Sequence, residues 1–301
     1  MPNLKTSVAG VELENPTVLA SGILGVTSAL MLRVAHSDAG AVTTKSIGIE
    51  KRNGHENPVI VEVEGGLLNA VGLSTSANAF EELRGAVEKS PVPVIASIWG
   101  KTIEEFGEVA AMASECSPAL IEVNISCPNV KHFGKVFGSD AKTAAQVTKA
   151  VKAETKIPVI VKLTPNVPDI GEIAKAVEAA GADAISAINT LGPGMVIDLK
   201  SKKPVLSNKT GGLSGPAIRP VAVRCVWEIY ETVEIPIIGI GGVTSGKDAI
   251  EMMMAGASAV GIGTGVMYRG IGIFEDVCEE IKTFMLEEGY QNLKEIIGAG
   301  H

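Results

Sequence analysis

Two lysines stand where a chain rarely places a charge. Lys45 follows the run Ala41–Thr44, and Lys162 is set between Val161 and Leu163. An ammonium in such company is costly unless an anion meets it. For Lys162 that anion is either an internal carboxylate such as Glu122 or a ligand. Hydroxyls, amides and a thiol accompany the lysines: Ser46, the stretch Asn124-Ile125-Ser126-Cys127-Pro128-Asn129, Thr164, and Asn189-Thr190. Two lysines together with several asparagines favour an anionic or electron-rich ligand. The stretches Gly239-Ile240-Gly241-Gly242-Val243-Thr244 and Gly261-Ile262-Gly263-Thr264-Gly265 are rich in glycine, which lets backbone N–H groups approach a phosphate closely. A helix starting near Gly246 would turn its positive end to the same place. Cys127 is either a small space-filling residue or a thiol acting as nucleophile or proton acceptor. The loop behind it, Val130–Gly138, could close over a site and exclude water. His132 lies in that loop, but neighbours in a glycine-rich loop are poor evidence for a Cys–His dyad. His36, His55 and His301 show no metal-ligand spacing.

These residues need a scaffold that brings strand ends together. Strand candidates rich in β-branched residues are Pro16–Ala20, Ala41–Ser46, Val92–Ile98, Ala119–Ser126, Ile157–Thr164, Ala184–Asn189, Ile235–Ile240 and Ala259–Ile262. Helical stretches at Thr102–Ser114, Asp140–Glu154, Asp169–Ala180 and Gly246–Ala255 alternate with them, and Gly181 and Gly256 stop two of these. Eight such strands predict an α/β fold, a (β/α)8 TIM barrel, over a doubly wound open sheet, because no GxGxxG follows the first strand. The strand starts at 41 and 92, and at 184 and 235, are each 51 residues apart. Both long intervals follow a strand, so insertions around 47–80 and 191–218 should decorate the C-terminal face, where barrels carry their chemistry. Strand period two puts Glu122, Asn124 and Ser126 on one face, and Ile160, Lys162 and Thr164 likewise. The glycines after strands seven and eight stand at a recurrent phosphate position of this fold. No linker is visible, so residues 1–301 read as one domain.

Composition narrows the classes. With 26 Lys+Arg against 34 Asp+Glu the net charge is −8, which argues against binding nucleic acid through its phosphates. No apolar run reaches the roughly 18 residues of a membrane helix, and the first residues do not read as a signal peptide. The 4 cysteines form no CxxC pair, which disfavours a zinc ribbon or a self-contained iron–sulfur site and suits reduced thiols in the cytoplasm.

The segments NISCPN (Asn124–Asn129), NAVGL (Asn69–Leu73), VKLTPN (Val161–Asn166), INT (Ile188–Thr190), GGLSGPAIRP (Gly211–Pro220) and GIGGV (Gly239–Val243) together resemble the class 1 dihydroorotate dehydrogenases. The resemblance runs in order from about Leu19 to Met267. Cysteine within NISCPN matches class 1; class 2 has serine there and an N-terminal membrane-binding extension. The Val130–Asp140 loop and the stretch from Asn208 to Pro220 look more like class 1B, a catalytic subunit paired with an electron-transfer subunit. The resemblance implies FMN-dependent oxidation of dihydroorotate to orotate in pyrimidine biosynthesis. It assigns Ser21, Lys45, Ser46, Ser97, Asn124, Lys162, Ile188, Gly215, Gly241, Gly242, Gly263 and Thr264 to FMN, with the glycines on its phosphate and Lys162 at the pyrimidine end of the ring. It assigns Lys45, Asn69, Ala70, Val71, Gly72, Leu73, Asn124, Asn189 and Thr190 to the substrate, and Cys127 to the C5 proton. A thiol can serve there where the site favours its thiolate, with activity rising toward alkaline pH.

The chain also departs from the family. Ser74–Asn78 stand where NAVGL usually runs into a turn containing proline and glycine, Ser97 replaces an expected asparagine, and His132-Phe133 replace a more glycine-like pair. With no cysteine cluster and no second nucleotide domain in sight, FAD and a [2Fe-2S] cluster are expected on a partner subunit, around a homodimer core of a heterotetramer, with NAD as final acceptor. The nearest rivals are a dihydropyrimidine dehydrogenase-like flavoenzyme, whose substrates lack the carboxylate, and a class 1A-like enzyme using fumarate. Lys45 and Asn69 favour orotate. A flavin-free lyase or isomerase would use the strand seven–eight glycines for substrate phosphate, and a non-catalytic barrel would have no use for Cys127 and the two lysines.

Overall fold

A computed structural model describes residues 2–126 and 137–301. Eight short strands, buried on nearly every residue, line its centre: Thr17–Leu19, Ala41–Thr43, Val94–Ile98, Leu120–Asn124, Val159–Leu163, Ala184–Ala187, Ile237–Ile240 and Ala259–Ile262. They pair in parallel in chain order, and the eighth closes on the first, with Val260 opposite Thr17. The predicted (β/α)8 barrel is what forms. Near-continuous apolar runs suit strands covered on both faces. Seven of the eight strands are shorter than their sequence signal: Pro16, Pro93, Pro158 and Pro236 stand just before strands that begin one residue later, and Thr44-Lys45-Ser46, Ser126, Thr164 and Asn189 lie past the ladder at the mouth.

The outer ring consists of α1 (Ser28–Ala35), α2 (Ala79–Lys89), α3 (Ile103–Ser114), α4 (Ala141–Glu154), α5 (Ile170–Ala179), α6 (Arg219–Tyr230), α7 (Gly246–Met254), the short α8 (Gly265–Arg269) and α9 (Ile273–Glu288). The four helices legible in the sequence all have side-chain N-caps, as does α1 at Thr27, which the sequence signal did not single out. Thr102, Asp140, Asp169 and Ser245 accept the N–H of Glu105, Thr143, Glu172 and Asp248, satisfying a donor the first turn leaves orphaned. By contrast α6 and α9, which the sequence signal did not single out, begin without a side-chain cap.

Inside the barrel two levels are distinct. At the N-terminal end an antiparallel hairpin, Thr6–Val8 with Val11–Leu13, closes the floor. Val8 and Leu13 pack there with Val18, Ile95, Leu120, Ile160, Ala184, Ile238 and Ala259 in one apolar cluster. Two residues further along four of the strands, the same inward face carries Ser97, Glu122, Lys162 and Ser186, all buried.

The two insertions lie at the C-terminal mouth, as their position after strands requires, and they fold together. Ile60–Val63 and Gly66–Asn69 from the first join Leu191–Gly194 and Gly211–Ser214 from the second in one four-stranded antiparallel sheet. Gly212 faces Asn69 in that sheet. A Cβ on Gly212 would come within 2.1 Å of Thr190 Oγ1, so only glycine lets the sheet close on the end of the sixth strand. On either side of residues 127–136, the Gly138 N–H donates to the Ile125 carbonyl at 2.9 Å. Among the described residues no helix is long and apolar enough to cross a membrane.

Candidate active site

Glu122 anchors the polar level of the barrel. Its Oε1 accepts the Ser97 hydroxyl at 3.0 Å and its Oε2 the Ser186 hydroxyl at 2.9 Å. Lys162 Nζ lies 3.7 Å from Oε1, so the internal carboxylate considered for this lysine is present, at a distance longer than a hydrogen bond. Because the Ser97 proton goes to the carboxylate, the contact between Ser97 Oγ and Ser46 Oγ at 2.9 Å has Ser46 donating. Asn124 Nδ2 in turn donates to Ser46 Oγ at 3.1 Å. The donors therefore run in one direction, from Asn124 through Ser46 and Ser97 to Glu122. Ser97, with no exposed surface, sits below the mouth and acts through this chain; its own N–H is held by Thr44 Oγ1 at 2.9 Å.

Above that level the asparagines are locked. Asn124 Oδ1 accepts from Asn189 Nδ2 and from the Ser126 N–H, each at 3.3 Å. Asn189 Oδ1 takes the Thr190 N–H at 2.8 Å, and Asn166 reaches across to the Thr190 carbonyl at 3.1 Å. Ser21 donates to the Thr44 carbonyl at 2.8 Å, beside Ser46. The Lys45 N–H is tied to the Gly25 carbonyl at 2.8 Å, and a cavity of about 270 Å³ opens beside Lys45 and Ser46, bounded by Arg52 and Ser74. Lys45, Ser46, Asn124, Lys162, Asn189 and Thr190, scattered over 145 residues of sequence, thus meet at one mouth.

The glycine-rich end lies opposite. Gly215, Gly241 and Gly242 have φ of 103°, 140° and 76°, open to glycine and strained for other residues. A Cβ on Gly242 would stand 3.0 Å from the Gly215 carbonyl oxygen, and one on Gly215 would stand 3.3 Å from Thr264 Cγ2, so the ends of strands seven and eight and of the insertion sheet converge here. Among the described residues, no backbone acceptor takes the N–H of Gly242, Gly263 or Thr264. Ile188, buried, ties its N–H to the Ile240 carbonyl at 2.8 Å and backs the same corner.

The helix expected to face this corner, α7, has its first turn engaged. Ser245 caps it, Glu280 accepts the Gly246 N–H, and Asp248 accepts from the Thr244 N–H at 2.9 Å and hydroxyl at 2.8 Å. Burial pushes the Asp248 carboxyl up, but these hydrogen bonds and the Arg219 guanidinium outweigh it and hold the carboxyl below its ordinary value. The α8 start, at Thr264, carries no side-chain cap. A short extra helix after strand eight is a recurrent part of barrel phosphate sites. The sequence signal missed it because five residues show no helical period.

The loop Asn69–Leu73 is held from outside. Asn69 Nδ2 donates to the Gly212 carbonyl at 3.3 Å, the Ala70 N–H to Val59 at 2.8 Å, and the His55 N–H to Val71 at 3.0 Å. Arg52 Nε donates to the Gly72 carbonyl at 2.9 Å while its guanidinium lies 5.6 Å from the Trp99 ring centroid. Arg52 and Thr75 exchange two backbone hydrogen bonds of 2.9 Å, and Trp99 Nε1 donates to Thr75 Oγ1 at 3.2 Å. Thr75, within the Ser74–Asn78 stretch, thus ties this loop to Arg52 and Trp99. Arg52, Trp99 and Asn166 carried no chemical signal in the sequence. Ser186 could have been read from the period-two face of its strand. Cys127, His132 and most of the Val130–Asp140 loop lie outside the described residues.

The unpartnered N–H groups of Gly242, Gly263 and Thr264, beside the positive-φ glycines Gly215, Gly241 and Gly242, fit a phosphate at one side, and a lysine rising from the barrel at the other end fits an electron-rich ring. The dihydroorotate dehydrogenase family profile matches residues 3–285. A protein of Methanocaldococcus jannaschii named dihydroorotate dehydrogenase B (NAD(+)), catalytic subunit, is 52% identical over 303 residues, covering 99% of this chain and 98% of its own length. Proteins with the same name from Methanothermobacter thermautotrophicus and Pyrococcus abyssi are 46% and 48% identical, each covering at least 98% of this chain and 98% of their own length. Barrel, insertion sheet and mouth all fall within these matches, and the chain belongs to the dihydroorotate dehydrogenase family.

Proposed function

We propose that this chain is the catalytic subunit of an NAD-linked dihydroorotate dehydrogenase, oxidising (S)-dihydroorotate to orotate in pyrimidine biosynthesis. The observation that carries the reading is the convergence of Lys45, Asn124, Lys162, Asn189 and Thr190 on one barrel mouth opposite a glycine-lined corner. Family membership implies a flavin, FMN, which supplies the acceptor for the hydride leaving C6 of the substrate. Gly215, Gly241, Gly242, Gly263 and Thr264 would hold its phosphate; Ser21, Lys45, Ser46, Asn124, Lys162 and Ile188 would line its ring, with Ser97 supporting from below. Lys162 offers positive charge where reduction adds negative charge.

The substrate's carboxylate suits Lys45. Its ring amide groups suit Asn69, Asn124, Asn189 and Thr190, because an asparagine amide both donates and accepts. The Ala70–Leu73 backbone closes the remaining side, and the Arg52–Thr75 contacts keep it in place. Cys127, next in the chain after Ser126, would take the C5 proton as general base. Residues 1–301 would work as one cytoplasmic FMN domain. Electrons would leave through a partner subunit carrying FAD and a [2Fe-2S] cluster, on a homodimer core within a heterotetramer.

The deciding experiment is anaerobic: the purified FMN-loaded chain is mixed with dihydroorotate and separately with dihydrouracil, and flavin absorbance is followed. Bleaching by dihydroorotate alone is expected. Bleaching by dihydrouracil alone would move the activity to pyrimidine degradation, and a chain that takes up no FMN would overturn the reading.

A further inference from the structure

Glu122 is a buried charge that the reaction as drawn does not use. In an ordinary buried ion pair the ammonium and carboxylate share a short charge-assisted hydrogen bond, about 2.7–2.9 Å. Here the two oxygens of Glu122 are claimed instead by Ser97 at 3.0 Å and Ser186 at 2.9 Å, hydroxyls from the third and sixth strands, and the Lys162 ammonium stands off at 3.7 Å. Both charges are nearly sealed, at 3% and 5% exposure, and among the described residues Glu122 is the one ion-pair partner of Lys162. The register sets Asn124 opposite Lys162, so the carboxylate lies one step below the mouth and the lysine at its edge. A carboxylate held back by hydroxyls balances the ammonium while leaving its N–H donors for whatever sits above. It also terminates the donor chain from Asn124 through Ser46 and Ser97.

We infer that Glu122 is a positioning residue that sets the charge the flavin meets at Lys162: it makes the pair neutral beneath the ring and so holds the flavin's reduction potential below what a lone lysine would give. The inference rests on the proposed FMN site. The charge under the ring is about zero with the pair and about +1 without the carboxylate. Hydride uptake adds negative charge to the ring, so removal of Glu122 favours the reduced form. A merely space-filling role predicts no such shift, because glutamine keeps the shape and can accept from Ser97 while donating to Ser186.

The test is a spectroscopic redox titration of the FMN-loaded chain at pH 7 against a reference dye, with FMN affinity measured alongside. Glu122→Gln is expected to move the oxidised–reduced equilibrium at least tenfold toward reduced, about 30 mV for a two-electron couple. Glu122→Asp, which keeps the charge, is expected to stay within threefold of the parent protein. An unchanged potential in Glu122→Gln, or a shift toward the oxidised form, overturns the inference. Should a lone lysine prevent folding, Lys162→Met is compared with the Glu122→Gln/Lys162→Met pair. The variant retaining the carboxylate is expected to be at least threefold more oxidised at a given potential, and equal potentials again overturn the inference. A parent chain that binds no FMN refutes the proposed function instead, so the two failures are distinguishable.

Discussion

The two ends of the barrel are built from the same strands and answer to different physics. At the floor, Leu120, Ile160 and Ala184 meet Val8 and Leu13 of the N-terminal hairpin in one apolar cluster. Two residues along the same strands, Glu122, Lys162 and Ser186 are as deeply buried, yet each has a polar partner. Burial at the floor stabilises by removing apolar surface from water. At the mouth it is tolerated because Glu122 answers the Ser97 and Ser186 hydroxyls and balances the Lys162 ammonium. A barrel can therefore hold its stability at one end and its chemistry at the other, and a substitution at either end should show up in a different measurement.

The largest separation is expected from Cys127→Ala. Flavin reduction by dihydroorotate should slow by about 10²–10⁴-fold, the usual contribution of a general base, with FMN still bound and the melting temperature little changed. Stopped-flow bleaching checks this, and equal rates would remove Cys127 as the base. At the floor, Leu120→Ala should cost about 2–5 kcal/mol of unfolding free energy in a denaturant titration while leaving the flavin spectrum intact. A loss of FMN at matched stability would mean that the two ends are coupled.

A smaller effect belongs to the seam between insertion sheet and barrel. Gly212→Ala brings a Cβ against Thr190, so Thr190 must shift at the substrate side. The expected result is about a tenfold fall in kcat/KM, roughly 1.4 kcal/mol, with FMN uptake unchanged.

The smallest effect is a null in reactivity. Burial pushes the Cys225 thiol up to about 11 and Cys278 up to about 12, and raises Cys116 as well. These three should resist alkylation in the native chain at pH 8, leaving Cys127 as the labelled position by mass spectrometry. The same groups fix a sign for stability. Raised folded values mean protons are kept in the fold and lost on unfolding above the ordinary 9.0, so stability is fully present below pH 9 and declines as pH rises toward 11. A denaturation midpoint that rises between pH 8 and 10 would contradict that burial.

Much of this architecture is legible from local signals. The strands are apolar and β-branched because both of their faces are covered. The four helices found in advance all start at side-chain caps, Thr102, Asp140, Asp169 and Ser245, although a cap alone was not enough, since α1 has one at Thr27 and gave no clear period over its eight residues. Lys45, Asn124 and Lys162 stand out because polar residues at strand ends conflict with their apolar surroundings. What lacked a local signal stayed hidden: α6 and α9 without caps, α8 too short for a period, and Arg52, whose importance lies in a carbonyl of Gly72 twenty residues away.

The sequence by itself determined the alternation of strands and helices, the position of two insertions after strands, and the residue types able to meet an anion, since each follows from periodicity or from the cost of burying charge. Tertiary structure alone decided the rest. It joined the two insertions into one sheet, turned the α7 start away into its own caps and left α8 uncapped. It also set Glu122 back from Lys162 behind two serine hydroxyls. Those outcomes depend on register and on distances between strands far apart in sequence, which no local pattern encodes.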